Sequence, residues 1–157
     1  MNYRHQIDYE LYEDWHELQE SDVALIEQAY AFCEQAYAPY SQFKVGAVLL
    51  LEDGSVVKGN NQENMAYPSG LCAERVALFY AGANFPSKKV KAIYIVAKGD
   101  LINSGDLLSP CGGCRQVMLE TELRQKSDFK VVLVSQNNKT MVFSAAKDLL
   151  PMAFGSK

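Results

Sequence analysis

The chain predicts an α/β layered fold with a mixed sheet of about five strands, and three observations carry that expectation. Residues 45–51 and 55–59 are β-rich runs separated by Glu52-Asp53-Gly54. Asp-Gly between such runs signals a tight hairpin, so the sheet begins with an antiparallel pair. Residues 91–98 contain Ala-Ile-Tyr-Ile-Val-Ala and residues 130–135 contain Val131, Val132, Leu133 and Val134; continuous apolar runs of this kind suit strands covered on both faces. An amphipathic stretch, residues 111–124, lies between them. Strand, helix, strand implies a parallel pair with the first strand central.

The other elements follow in order. The first 20 residues set Tyr3, Tyr9, Tyr12 and Trp15 among acidic groups and admit either an extended arm or a short strand. From Asp22 onward, Val23, Ile26, Ala29, Tyr30 and Cys33 recur at three- and four-residue spacing. This predicts a helix with Ser21 or Asp22 as N-cap, stopped by Pro39. Residues 73–83 predict a second helix, with Val76, Ala77, Phe79 and Tyr80 as apolar positions and Gly82 and Pro86 ending it. Residues 99–109 form a polar connection, residues 140–143 a last short strand after Asn137-Asn138, and residues 145–150 a final helical turn before Pro151. No repeat or linker intervenes, so one domain is expected over residues 22–157, preceded by an N-terminal arm over residues 1–21.

Composition narrows the function classes. A chain of 157 residues with 48% apolar content is long enough to bury one full core. The formal net charge is −4, with no run of Lys or Arg to neutralise a row of phosphates; a nucleic acid polymer is not an expected partner. No stretch approaches the roughly 20 apolar residues of a membrane span, and the N-terminus lacks a secretory apolar core. A soluble cytoplasmic protein without a membrane partner is expected. In a reducing compartment its four cysteines point to metal or redox chemistry rather than to disulfides.

Three of those cysteines form two clusters, each where a helix should begin: Cys72-Ala73-Glu74-Arg75 and Pro110-Cys111-Gly112-Gly113-Cys114-Arg115-Gln116. A structural zinc site normally takes four protein ligands, whereas a catalytic one takes three and leaves a position for water. Ser109-Pro110 fits an N-cap followed by proline at the first helical position. That would place Cys111 in the first turn and Cys114 one turn on. Helix N-termini favour thiolates, and soft sulfur ligands select zinc over magnesium or calcium. Three thiolates and Zn²⁺ together carry about one negative charge. Arg75 and Arg115 are the natural compensation, at least one of them by donating to ligand sulfur. Cys33 sits at a core-facing helical position without a CxxC partner and reads as a small buried hydrophobe rather than a fourth ligand.

A ligand, one residue, a Glu that does not bind metal, and then Pro-Cys-x-x-Cys is the outline of the zinc deaminases. The chain resembles the small cytidine deaminases that act on free nucleosides, through residues 39–47 (Pro-Tyr-Ser-Gln-Phe-Lys-Val-Gly-Ala), Asn61-Gln62-Glu63-Asn64, the two cysteine clusters, and residues 149–154 (Leu-Leu-Pro-Met-Ala-Phe). The resemblance covers residues 22 to 154. It implies a three-layer α/β/α sandwich, a homotetramer with one Zn²⁺ per subunit, and hydrolytic deamination of cytidine and 2'-deoxycytidine to uridine and 2'-deoxyuridine with release of ammonia. Glu74 is the expected catalytic group. It would take a proton from the zinc-bound water, leaving hydroxide to attack C4, and deliver protons to N3 and to the departing amino group.

By the same resemblance, Asn61 and Glu63 hold ribose hydroxyls, Phe43 packs on the base, and Asn64 and Ala73 line the pocket. Tyr67 lies near the sugar, and Phe154 reaches a neighbouring subunit's site. Two other readings stand beside this one. The first is a deaminase of another aminated heterocycle or a nucleoside antibiotic, and the second a non-catalytic zinc-stabilised binding module. The carboxylate Glu63 facing the sugar would repel a phosphate, which argues against nucleotides. Residues 1–21 lie outside the shared pattern, and the connection over residues 99–109 is longer than in compact members.

Overall fold

In the computed structural model, which describes residues 1–155, the six strands are β1 (Glu10–Tyr12), β2 (Lys44–Leu51), β3 (Val56–Asn60), β4 (Val90–Lys98), β5 (Lys130–Val134) and β6 (Thr140–Phe143). They join in one sheet of order β1-β6-β5-β4-β2-β3. The β4–β5 pair is parallel and every other pairing is antiparallel. Three helices complete the fold: α1 (Glu20–Cys33), α2 (Ala73–Asn84) and α3 (Gly112–Gln125). Helix α3 is the crossover between the two parallel strands, as the apolar runs implied.

Strand parity sorts the side chains into two cores. Ile93, Ile95 and Ala97 of β4 and Val131 and Leu133 of β5 share one buried cluster with Ala77, Leu78 and Ala81 of α2 and Met118 of α3. The intervening Ala92, Tyr94, Val96, Val132 and Val134 share the other with Leu25, Ile26, Ala29 and Cys33 of α1. Successive side chains on a strand face opposite ways, so an unbroken apolar run supplies both faces at once. The result is the expected three-layer α/β/α sandwich, with α1 on one face and α2 and α3 on the other.

The sheet has six strands rather than about five because residues 10–12 pair with β6 at the edge. Of the two options open for the first 20 residues, the chain takes the short strand. A single 3₁₀ turn (Trp15–Glu17) follows, capped by Asp14, and Trp15 is buried against Tyr30 of α1 with ring centroids 5.9 Å apart.

Helix α1 differs from expectation at both ends. It starts at Glu20 with Gln19 as its cap, so Asp22 lies inside it. The Asp22 carboxylate is drawn into the sheet, accepting from Tyr94 Oη at 2.5 Å and Lys130 Nζ at 2.6 Å; a buried tertiary contact has taken the side chain that the cap would have used. The helix also stops at Cys33, well before Pro39. Tyr37 instead bridges to Gln62, with Tyr37 N–H donating to Asn61 and Glu63 N–H donating to Tyr37, and that pairing requires extended backbone.

Two glycines let the layers approach closely. A Cβ on Gly46 would stand 2.2 Å from the Ala29 carbonyl oxygen of α1, and one on Gly59 would stand 2.4 Å from the Ala73 oxygen and 2.7 Å from the Ala77 nitrogen of α2. Gly59 therefore sets how near the first turn of α2 lies to β3. The variant Gly59→Ala meets backbone rather than a movable side chain. It is expected to lose about 3 kcal/mol of stability, read as a lowered urea midpoint at unchanged slope. Among the described residues, no helix is long and apolar enough to cross a membrane.

Candidate active site

The N-termini of α2 and α3 converge, and each is capped by a cysteine. Cys72 (φ −69°, ψ 153°) and Cys111 (φ −66°, ψ 163°) both have the extended backbone of an N-cap, and neither side chain makes a capping hydrogen bond. The expectation of Ser109 as cap and Pro110 as first helical residue is thus corrected by two positions. The first intrahelical bond runs from Arg115 N–H to the Cys111 carbonyl at 3.0 Å. Ser109 Oγ and the Pro110 carbonyl instead accept from Arg115 Nη2 at 2.7 Å and Nε at 2.8 Å. The arginine braces the approach to the helix and leaves the cap to Cys111.

Cys114, three residues after Cys111, lies in the first turn of α3. The Cys72 and Cys111 sulfurs are 4.0 Å apart and those of Cys111 and Cys114 3.4 Å apart, with all three within 4.8 Å of one another. Sulfurs held about 2.3 Å from a tetrahedral zinc stand about 3.8 Å apart, so the spacing and the soft donor set fit this ion. All four cysteines are free thiols. Cys114 is buried, Cys72 partly buried and Cys111 exposed, so the cluster is graded toward solvent. Among the described residues, no fourth His, Cys, Asp or Glu joins it. Cys33 lies in the α1 core, fully buried, where burial pushes its thiol up to about 11.

The electrostatics of the thiols favour one anion readily. The neighbouring Cys114 thiol, helped by Arg75, lowers Cys72 to about 5 against the opposing effect of burial. The same pairing, together with burial, holds Cys114 far above the ordinary thiol range. Glu74, two residues after Cys72, is only 4% exposed. Burial, with the Cys72 charge nearby, raises it to about 7. A buried carboxyl beside three sulfurs is poised to exchange protons near neutral pH.

The two arginines behave differently. Arg75 Nη2 donates to Cys72 Sγ at 3.6 Å, and its Nε is buried with no partner among the described residues, an orphan donor beside the sulfurs. Among the described residues, Arg115 makes no hydrogen bond to sulfur. Besides Ser109 and Pro110 it reaches the Leu149 carbonyl at 3.0 Å, while Glu122 of α3 accepts from Ala146 N–H at 2.7 Å and Lys147 N–H at 3.0 Å. Together they clamp both ends of the last turn (Ala146–Leu149). Arg75→Gln should therefore weaken zinc binding about 10- to 100-fold, measured by competition with a chromophoric chelator, whereas Arg115→Gln should change that affinity far less.

Phe43, Asn61 and Glu63 are brought together at the start of β2. Phe43 and Ala73 are buried in one cluster. Asn61 is also buried, its Oδ1 accepting from Val45 N–H at 2.8 Å and its Nδ2 donating to the Phe43 carbonyl at 2.8 Å. The Glu63 carboxylate accepts from Tyr40 N–H at 2.9 Å, Ser41 N–H at 3.2 Å and the Ser41 hydroxyl. Burial pushes Glu63 up, but these hydrogen bonds more than offset it and hold the group below the ordinary Glu value.

Other sequence-selected residues lie further out. Asn64 is exposed and its Oδ1 accepts from Ala66 N–H at 2.8 Å. Tyr67 is 92% and Phe154 90% exposed; Gln116 Nε2 donates to the Phe154 carbonyl at 2.7 Å. Sequence reasoning missed Ser41 and Glu122. A serine two residues before an aromatic, next to a turn, is a signal for the first, because such hydroxyls bond nearby backbone. Glu122 had none, since its partners come from residues 129, 146 and 147.

Comparison with known proteins agrees with this geometry. The family described as the cytidine and deoxycytidylate deaminase zinc-binding region matches residues 19–130. A cytidine deaminase of Halalkalibacterium halodurans is 42% identical over 130 residues, 83% of this chain and 91% of that protein. One from Mycobacterium tuberculosis is 45% identical over 107 residues, 68% of this chain and 71% of its own. The crystal structure of cytidine deaminase from Burkholderia pseudomallei superposes with a TM-score of 0.71 at 43% identity, covering 87% of this chain and all of that one. With the paired helix ends, the three sulfurs and the adjacent buried carboxyl already in place, these matches make the chain a member of the cytidine and deoxycytidylate deaminase zinc-binding family.

Proposed function

We propose that the protein is a zinc-dependent cytidine deaminase, converting cytidine and 2'-deoxycytidine to uridine and 2'-deoxyuridine. Water adds at C4 of the pyrimidine, the C4–N bond breaks, and ammonia leaves. The observation that carries this reading is Glu74, a nearly fully buried carboxyl beside three thiols that supply only three corners of a tetrahedron. A purely structural site has no use for such a group. Cys72, Cys111 and Cys114 would hold one zinc, which supplies a Lewis acid that makes water nucleophilic near neutral pH. Glu74 takes up the proton that water loses as it adds to C4. It then hands protons to N3 and to the amino group, serving as base and acid in turn.

Around that centre, Phe43 and Ala73 offer an apolar wall for the flat base, and Asn61 and Glu63 present an amide and an anionic acceptor to the sugar hydroxyls. Asn64 belongs to the same loop. The exposed rings of Tyr67 and Phe154 are the surfaces a neighbouring subunit would cover in a homotetramer, an assembly size consistent with apolar side chains left bare on a single chain. Free thiols as ligands suit a reducing, cytoplasmic setting. The reading is tested by adding protein of measured zinc content to cytidine and following absorbance and ammonia release. Stoichiometric ammonia supports it, and inertness toward both cytidine and 2'-deoxycytidine overturns it.

A further inference from the structure

Resting on that reading of the site, we infer that Ser41 is a positioning residue that sets the sugar-binding carboxylate and the base-packing ring with a single hydroxyl. The Ser41 oxygen accepts from Phe43 N–H at 3.0 Å, and its one proton is given to Glu63 Oε1. Its own N–H and that of Tyr40 occupy Glu63 Oε2. A carboxylate has about four acceptor positions, two on each oxygen. Three are taken by residues 40 and 41, which leaves one, on Oε1, for one sugar hydroxyl.

The backbone around Ser41 is held in the conformation this needs. Gln42, between Ser41 and Phe43, adopts a left-handed φ of 53°, rare for a residue with a side chain and characteristic of functional loops. Its N–H is bonded to the Ala38 carbonyl at 3.0 Å. From below, Gly99 at the end of β4 packs so closely that a Cβ there would stand 2.6 Å from the Gln42 oxygen. Asn61 then fixes the Phe43 carbonyl from the other side. Among the described residues, the serine hydroxyl is the one side-chain group that bonds both Glu63 and the Phe43 backbone, so the orientation of the remaining acceptor on Glu63 depends on it.

The test sets Ser41→Ala and Ser41→Thr against the unaltered protein, with cytidine and 3'-deoxycytidine as substrates. Removing the hydroxyl should raise KM for cytidine about tenfold, the worth of one hydrogen bond to a charged group, with kcat changed less than about twofold because Glu74 is untouched. With 3'-deoxycytidine, which gives Glu63 no 3'-hydroxyl, the same variant should shift KM by less than about threefold. Ser41→Thr, which keeps the hydroxyl, should restore the cytidine value. An unchanged cytidine KM in Ser41→Ala overturns the inference, as does an equal rise for both substrates or a loss of kcat alone. If the unaltered protein turns over neither substrate, the proposed function fails instead, and the two failures are distinct.

Discussion

Glu74→Gln keeps one zinc per chain and loses turnover by about 10⁴-fold, the upper range for a single group that works as both acid and base. Glutamine preserves the shape of the side chain and the packing at the foot of α2, so metal content measured on the same sample should match the unaltered protein. Equal activity in the variant would remove Glu74 from the chemistry. The same substitution has a thermodynamic signature in zinc-free protein. The folded-state value of Glu74, raised to about 7 chiefly by burial, lies above that of an unfolded Glu. Its neutral form therefore favours folding at acid pH, and this contribution is lost as pH rises through about 7. The full effect is on the order of 3 kcal/mol. Urea unfolding of zinc-free protein at pH 5 and pH 8 should show the unaltered chain losing stability relative to Glu74→Gln across that interval; parallel curves would mean that the carboxyl is not buried as described.

Stripping the metal should be the second large effect. Three thiols within 4.8 Å join the starts of α2 and α3, so an ion bound there links two helices that otherwise meet through apolar packing. Zinc at about a thousandfold excess over its dissociation constant stabilises the folded state by about 4 kcal/mol, which for a domain of this size corresponds to about 10 °C in Tm. Dialysis against a strong chelator should lower Tm by that amount and abolish turnover, and stoichiometric zinc should restore both. Cys114→Ser, at the buried corner of the cluster, should resemble the stripped protein and fail to recover with stoichiometric zinc. A Tm indifferent to chelation would leave the sulfurs without a structural role.

The legible parts of this molecule are those whose cause lies within a short stretch of chain. The hairpin around Asp53-Gly54 is one. The apolar runs that became β4 and β5, with α3 between them, are another, because a strand buried on both faces is apolar at every position. The cysteine clusters were legible too: ligand type and spacing are local chemistry. Where structure and local signal differ, a side chain or strand from outside the local motif is the cause. Asp22 looked like a cap, and the Lys130 and Tyr94 side chains took it into the sheet. Ser109 looked like a cap, and Arg115 took its hydroxyl. Residues 10–12 became a strand because β6 lay open at the sheet edge.

From its own order of residues, then, the chain determined the α/β class, the central parallel unit, the three clustered sulfurs and the carboxyl beside them, since hydrophobic period and donor chemistry are properties of neighbours in sequence. Tertiary structure alone decided that Arg115 is drawn to the Leu149 carbonyl rather than to sulfur, that Ser41 ties Glu63 to Phe43, and that Glu122 and Arg115 clamp the final turn. A hydrogen bond between residues 20 or 30 positions apart has no periodic trace in the chain; it exists only once the layers have closed and brought donor and acceptor within reach.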